Sequence, residues 1–168
     1  MAKNRSEHPH LIADIGGTNA RFALVDANRQ FYAEHILACA DFSGLTAAPE
    51  AYLAEVAAPR PRQAAVAVAT PVTGDRIQFT NSAWSFSTET TQRELGLERL
   101  LILNDFTALA LALPLLNPDE RRAVGGGTAT PEAPIGLLGA GTGLGVSGLV
   151  WSCLLYTSPS PRDGLLSR

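Results

Sequence analysis

The chain has 168 residues, enough for one full domain and the start of a second. It is 46% hydrophobic, 17% charged and 7% aromatic, the balance of an ordinary globular protein. A net charge of −3 argues against nucleic acid or an anionic membrane surface as the main partner. Cys39 and Cys153, the two cysteines, form neither a disulfide framework nor a zinc constellation, which fits a cytoplasmic protein in a reducing compartment. Residues 1–10 are polar and lack the apolar region of a secretory signal.

The first apolar run, 11–15, ends in Gly16-Gly17 and is answered by 21–25, which predicts strand, glycine turn, strand. A third strand is predicted over 31–37, and a helix within 45–56 with Pro49 in its first turn. The run 64–69 is short, continuously apolar and bracketed by Pro61 and Pro71. It suits a strand buried on both faces of a helix-covered sheet. A turn over 71–75 leads to a predicted edge strand over 76–80, and Ser87 caps a helix that Gly96 stops. Residues 100–103 read as another buried strand, delivering Asn104 and Asp105 to its end just before a helix running to 113. Asn117-Pro118-Asp119-Glu120 has the pattern of a capped short helix, which Gly125 ends. Two strands, 135–138 and 146–150, then flank a second glycine turn.

The interval between Glu132 and Arg162 carries no charge and is long enough to span a bilayer. Gly136, Gly139, Gly141, Gly143, Gly145 and Gly148 interrupt it, then Pro159 and Pro161, so strand–turn–strand is the better reading and no membrane partner is expected. Residues 151–168 show no periodicity and contain Ser-Pro-Ser-Pro. They read either as a disordered tail or as the product of a reading frame crossing a sequencing adapter. We expect the second, a non-native tail.

Three segments carry chemistry. A strand–Gly–Gly–Thr–strand turn can hold phosphate oxygens on its backbone N–H groups, with Thr18 and Asn19 adding side-chain donors. Asp14 can hold Mg²⁺ directly or through water, and Arg21 can serve the site or form a structural ion pair. The same turn also reads as a plain β-hairpin. Gly139-Ala140-Gly141-Thr142-Gly143-Leu144-Gly145 is a second turn of the same kind, and two such clamps suit a polyphosphate held from both sides. Neither is a Walker loop. The dinucleotide-like spacing from Gly143 to Gly148 lacks a following helix and a ribose-binding acid outside the tail. Asp105, where a strand meets a helix, can accept a hydroxyl proton during phosphoryl transfer or simply cap the helix. Asn104 can bond neighbouring hydroxyls. Asn81, Ser82 and Trp84 form a loop that can face a sugar or pack a tryptophan. His8, His10 and His35 have no ligand spacing and read as surface residues.

In this order, Asp14-Ile-Gly-Gly-Thr-Asn-Ala-Arg21, Pro71-Val-Thr-Gly-Asp75, Thr80-Asn-Ser-Ala-Trp-Ser-Phe-Ser87, Leu103-Asn-Asp-Phe-Thr-Ala108 and Gly139-Ala-Gly-Thr-Gly-Leu-Gly145 resemble bacterial glucokinase of the hexokinase-related, actin-like superfamily. The resemblance implies an α/β fold, an actin-like, ribonuclease H-like domain with a mixed sheet, plus the first strands of a second domain. It places the small domain at 1–116 and the start of the large one at 117–150. It implies ATP and Mg²⁺ as cofactors, glucose as partner, and a homodimer for the full-length enzyme. By position, Asp105 matches the catalytic base and Asn104 a glucose contact, with Asn81 a weaker sugar-facing candidate. Asp14, Gly16, Gly17, Thr18 and Asn19 match the first phosphate segment, and Gly141, Thr142 and Gly143 the second. The family's later Gly-Glu-Gly-Gly-His segment and adenosine region have no counterpart after Val150, so an inactive fragment is expected. A sugar-responsive regulator and an actin-like ATPase are the competing readings. The first lacks a helix-turn-helix before Leu11, and Asn104-Asp105 favours a hydroxyl substrate over the second.

Overall fold

The computed structural model describes residues 8–79, 84–140, 144–151 and the backbone of 156–158. Contacts divide the chain into two units, Met1–Leu103 and Asn104–Arg168.

The first unit is built on a mixed sheet. Strands β1 (His10–Ile15), β2 (Asn19–Val25) and β3 (Phe31–Ala38) form an antiparallel meander. After helix α1 (Ala47–Val56), strand β4 (Gln63–Val68) returns parallel to β1, as a helical crossover requires. A two-stranded ribbon, β5 (Arg76–Gln78) with β6 (Ser85–Ser87), and helix α2 (Thr88–Glu94) lead to β7 (Arg99–Asn104). The sheet order is β3-β2-β1-β4-β7.

Period-two alternation decides the buried face. Leu11 and Ile15 of β1, Phe22 and Leu24 of β2, and Val66 and Val68 of β4 join Tyr52 and Leu53 of α1 in one cluster. Each large apolar side chain so buried contributes about 1.5–3 kcal/mol. Tyr52 stacks on Phe22 at 5.2 Å, and its hydroxyl donates to the Ala33 carbonyl at 2.7 Å. Burial, then the neighbouring Tyr32, pushes its pKa up to about 12.

Four local expectations change. In β4 only Ala64, Val66 and Val68 are buried, whereas Ala65 and Ala67 on the opposite face are half-exposed. β7 is an edge strand rather than a doubly buried one, and its Leu101 is 40% exposed. The apolar run reported β structure correctly, but edge position is a property of the whole sheet. β5 pairs with β6 in its own ribbon, and the element predicted after Asn117 is a single 3-10 turn, Pro118–Glu120, whose Glu120 carboxylate accepts from the Asn117 amide at 2.6 Å.

The second unit comprises helix α3 (Asp105–Ala112) and an antiparallel sheet of β8 (Ile135–Ala140), β9 (Leu144–Val150) and β10 (Tyr156–Ser158), ordered β10-β9-β8. β10 lies within the segment read from sequence as an aperiodic tail. Among the described residues no helix is long and apolar enough to cross a membrane.

Candidate functional site

The first glycine turn closes the β1–β2 hairpin. Ile15 stands opposite Ala20, and the Gly16 amide donates to the Asn19 carbonyl at 2.9 Å. A Cβ on Gly16 would meet that same carbonyl oxygen at 3.4 Å, the edge of ordinary contact. The turn is fastened through its carbonyls. Ala69 N–H donates to Ile15 O at 3.1 Å and Cys39 N–H to Thr18 O at 2.8 Å. The Cys39 thiol reaches Gly16 O at 3.5 Å. Cys39 is buried, and burial raises its thiol pKa, so it remains the protonated donor. Asp14, Gly16, Gly17, Thr18 and Asn19 are therefore brought together at one hydrogen-bonded hairpin end. Sequence reasoning missed Cys39, because no spacing ties it to a turn 21 positions upstream of it, counted from Thr18.

Asp14 and Arg21 are cross-strand partners, and Arg21 Nη1 donates to Asp14 Oδ2 at 3.0 Å. Both side chains are more than half exposed, so water and salt screen the pair. Of the two roles open to Arg21, the ion pair is the one seen.

Asn104 ends β7 and is the N-cap of α3. Its Oδ1 accepts from Phe106 N–H at 3.0 Å and Thr107 N–H at 3.2 Å. Its Nδ2 donates to Asp105 Oδ1 at 3.0 Å, and that oxygen also accepts from Phe106 N–H at 2.9 Å. The cap is thus Asn104, and Asp105 is the first helical residue, its carboxylate rotation fixed by its neighbour. The structure brings these two together at a helix start, where N–H groups and dipole favour negative charge.

Of the second glycine segment, Gly139 of β8 stands opposite Gly145 of β9. A Cβ on Gly139 would stand 2.6 Å from Phe106 Cζ, and one on Gly145 would collide with Cζ, Cε1 and Cε2 of the same ring. Gly136, by contrast, has open space where a Cβ would go. Gly139 and Gly145 are bare because an aromatic side chain of α3 occupies their place. Sequence reasoning missed Phe106, although glycine inside a strand is itself a signal of close approach. Gly141, Thr142, Gly143 and Asn81 lie outside the described residues. Trp84 is buried, donates to Phe42 O at 3.1 Å and meets Phe79 edge-on, so packing is its observed role. His8 and His10 are exposed, while His35 is half-buried and contacts Glu55 at 3.3 Å. Among the described residues no group of three His, Cys, Asp or Glu side chains forms a metal cluster.

A mixed sheet with a glycine turn after its first strand and a capped Asn-Asp helix start belongs to the actin-like class of α/β folds. A crystal structure of glucokinase from an Antarctic psychrotroph superposes with a TM-score of 0.80 at 36% identity, covering 91% of this chain and 50% of that one. A family model described as Glucokinase matches residues 11–161, and the chain belongs to that family. The glucokinase of Aromatoleum aromaticum is 53% identical over 145 residues, 85% of this chain and 44% of the relative. The bifunctional protein glk of Paraburkholderia xenovorans is 50% identical over 149 residues, 89% of this chain and 23% of the relative. The chain therefore spans less than half the length of these curated relatives.

Proposed function

We propose that the protein carrying this sequence transfers the γ-phosphate of ATP to the 6-hydroxyl of glucose. The observation that carries the reading is the family match over residues 11–161, which includes both glycine turns and Asn104-Asp105. Asn104 hydrogen-bonds the sugar, and Asp105 accepts the proton of the 6-hydroxyl. That oxygen forms a bond to the γ-phosphorus as the bond from phosphorus to the bridging β–γ oxygen breaks, leaving ADP. The phosphates are held by Gly16, Gly17, Thr18 and Asn19 and by Gly141, Thr142 and Gly143, with Asn81 on the sugar side. Asp14 fits a Mg²⁺ role by chemistry: it is an exposed carboxylate beside the turn, and Mg²⁺ takes one or two carboxylates together with substrate phosphates. When bound, the ion neutralises phosphate charge.

In this reading residues 1–116 form a small domain and 117–150 begin a large one, with a homodimer as the full-length assembly. Residues 151–168 belong to neither domain in this reading. Sequencing the gene through the Val150 codon tests that division. An in-frame Gly-Glu-Gly-Gly-His-like continuation supports it, and a genomic stop after Arg168 counts against catalysis.

The decisive experiment is Asp105→Ala in the full-length gene product, followed by glucose-dependent ADP release and glucose titration. Turnover should fall by about 10²–10⁴-fold with glucose affinity largely kept. Substantial retained turnover would remove Asp105 from the role of base.

A further inference from the structure

The glycines of the second hairpin pose a question that phosphate binding does not answer. Gly139 and Gly145 sit inside β8 and β9, not in the turn, and they face each other across the ladder. Cross-strand partners present their side chains on one face of a sheet, so two absent side chains make one shared recess. The tip of the Phe106 ring fills it: any Cβ at either glycine would lie inside contact distance of Cζ. Phe106 immediately follows Asp105, and its amide is held by both Asn104 and Asp105. Whatever fixes this ring therefore fixes the first turn of α3 to the hairpin.

We propose that Phe106 is a positioning residue: seated on Gly139 and Gly145, it locks the Asp105 end of α3 to the hairpin that carries the second glycine turn. The aromatic ring contributes what the two glycines cannot, apolar cover for a stretch of strand with no side chains of its own. The flanking bonds within residues 104–107 set the carboxylate's rotation, and the ring sets where that helix start stands on β8 and β9. Its value for phosphoryl transfer rests on the kinase reading above; the seat itself does not.

The test is a double-mutant cycle in the 168-residue chain, Gly145→Ala, Phe106→Leu and both together, followed by nuclear magnetic resonance. In the native chain the ring should shift the Hα protons of Gly139 and Gly145 away from ordinary glycine values, and Phe106→Leu should return them. Gly145→Ala should evict the ring, lowering amide exchange protection at Phe106 and Thr107 by at least about fivefold, with residues 16–19 unchanged as the internal control. Leucine is shorter than phenylalanine and leaves room for the new methyl. The double variant should therefore be protected as well as Phe106→Leu alone. Additive losses, or glycine Hα shifts indifferent to Phe106→Leu, would overturn the seat. Glucose titrated into the same four versions of the full-length gene product separates the two readings. Weaker shifts at Asn104 and Asp105 in Gly145→Ala, recovered in the double variant, support positioning, and equal shifts in all four samples overturn it. No glucose response in the unsubstituted full-length gene product counts against the kinase reading, and the ligand-free cycle still decides the seat.

Discussion

The two glycine hairpins look alike as sequence and are bare for different reasons. In the first, glycine sits in the turn itself, where Gly16 closes tightly on Asn19, and Ala69 and Cys39 hold the carbonyls of residues 15, 16 and 18. In the second, Gly139 and Gly145 lie in the strands and make room for the ring of Phe106. The first pattern sits in an exposed turn, whereas the two strand glycines of the second are packed against a ring. A glycine-rich motif is therefore two statements superimposed, and only neighbours in space separate them.

Substitution at each hairpin should break the parallel in opposite ways. The largest effect is expected from Gly17→Val in the full-length gene product. Under the proposed function, side-chain bulk on this turn should weaken Mg·ATP binding by about tenfold or more, the worth of a charge-assisted hydrogen bond, while glucose affinity changes little. Parallel calorimetric titrations read both, and equal losses would indicate misfolding instead. At the other hairpin, Gly139→Ala should cost about 1–3 kcal/mol of stability through overpacking against Phe106, measured by urea unfolding. Gly136→Ala, where the space is open, serves as its control.

Cys39 sharpens the comparison from behind the first turn. Cys39→Ala removes the bond to Gly16 O and should cost about 1 kcal/mol, with Cys39→Ser recovering part of it because a hydroxyl can donate to the same oxygen. Chemical unfolding in a Cys153→Ser background measures it cleanly. Arg21→Ala should cost less still, about 0–1 kcal/mol, and the difference should shrink as salt is raised, since the Asp14 pair is exposed.

A final measurement marks a part of the first unit that neither turn controls. Asp75 accepts from the Glu89 amide at 2.9 Å at the start of α2. That bond first, then the Ser87 hydroxyl, holds its carboxyl below the ordinary 3.8. The folded state releases this proton more readily than the unfolded one does. The contribution is therefore whole above that ordinary value and is lost as pH falls through the depressed one. Unfolding curves of the native chain and Asp75→Asn should differ at neutral pH and converge in acid; a constant gap would show that the carboxylate's charge is not what anchors α2.

Much of this fold was legible in the chain itself. The apolar runs over 11–15 and 21–25, glycine between them, the apolar run before Pro71 and Ser87 as a cap each specify local structure through short-range sterics and hydrogen bonds. The motifs in their order likewise mark the glucokinase family. What the sequence could not decide were quantities belonging to pairs distant along the chain. β7 became an edge strand because of where the sheet stops, and β4 kept one face only partly buried. Cys39 became the thiol behind Gly16, and Phe106 the occupant of Gly139 and Gly145, across separations that no local period encodes. Local propensity writes the elements, but burial, edges and side-chain seats arise only when the chain closes on itself.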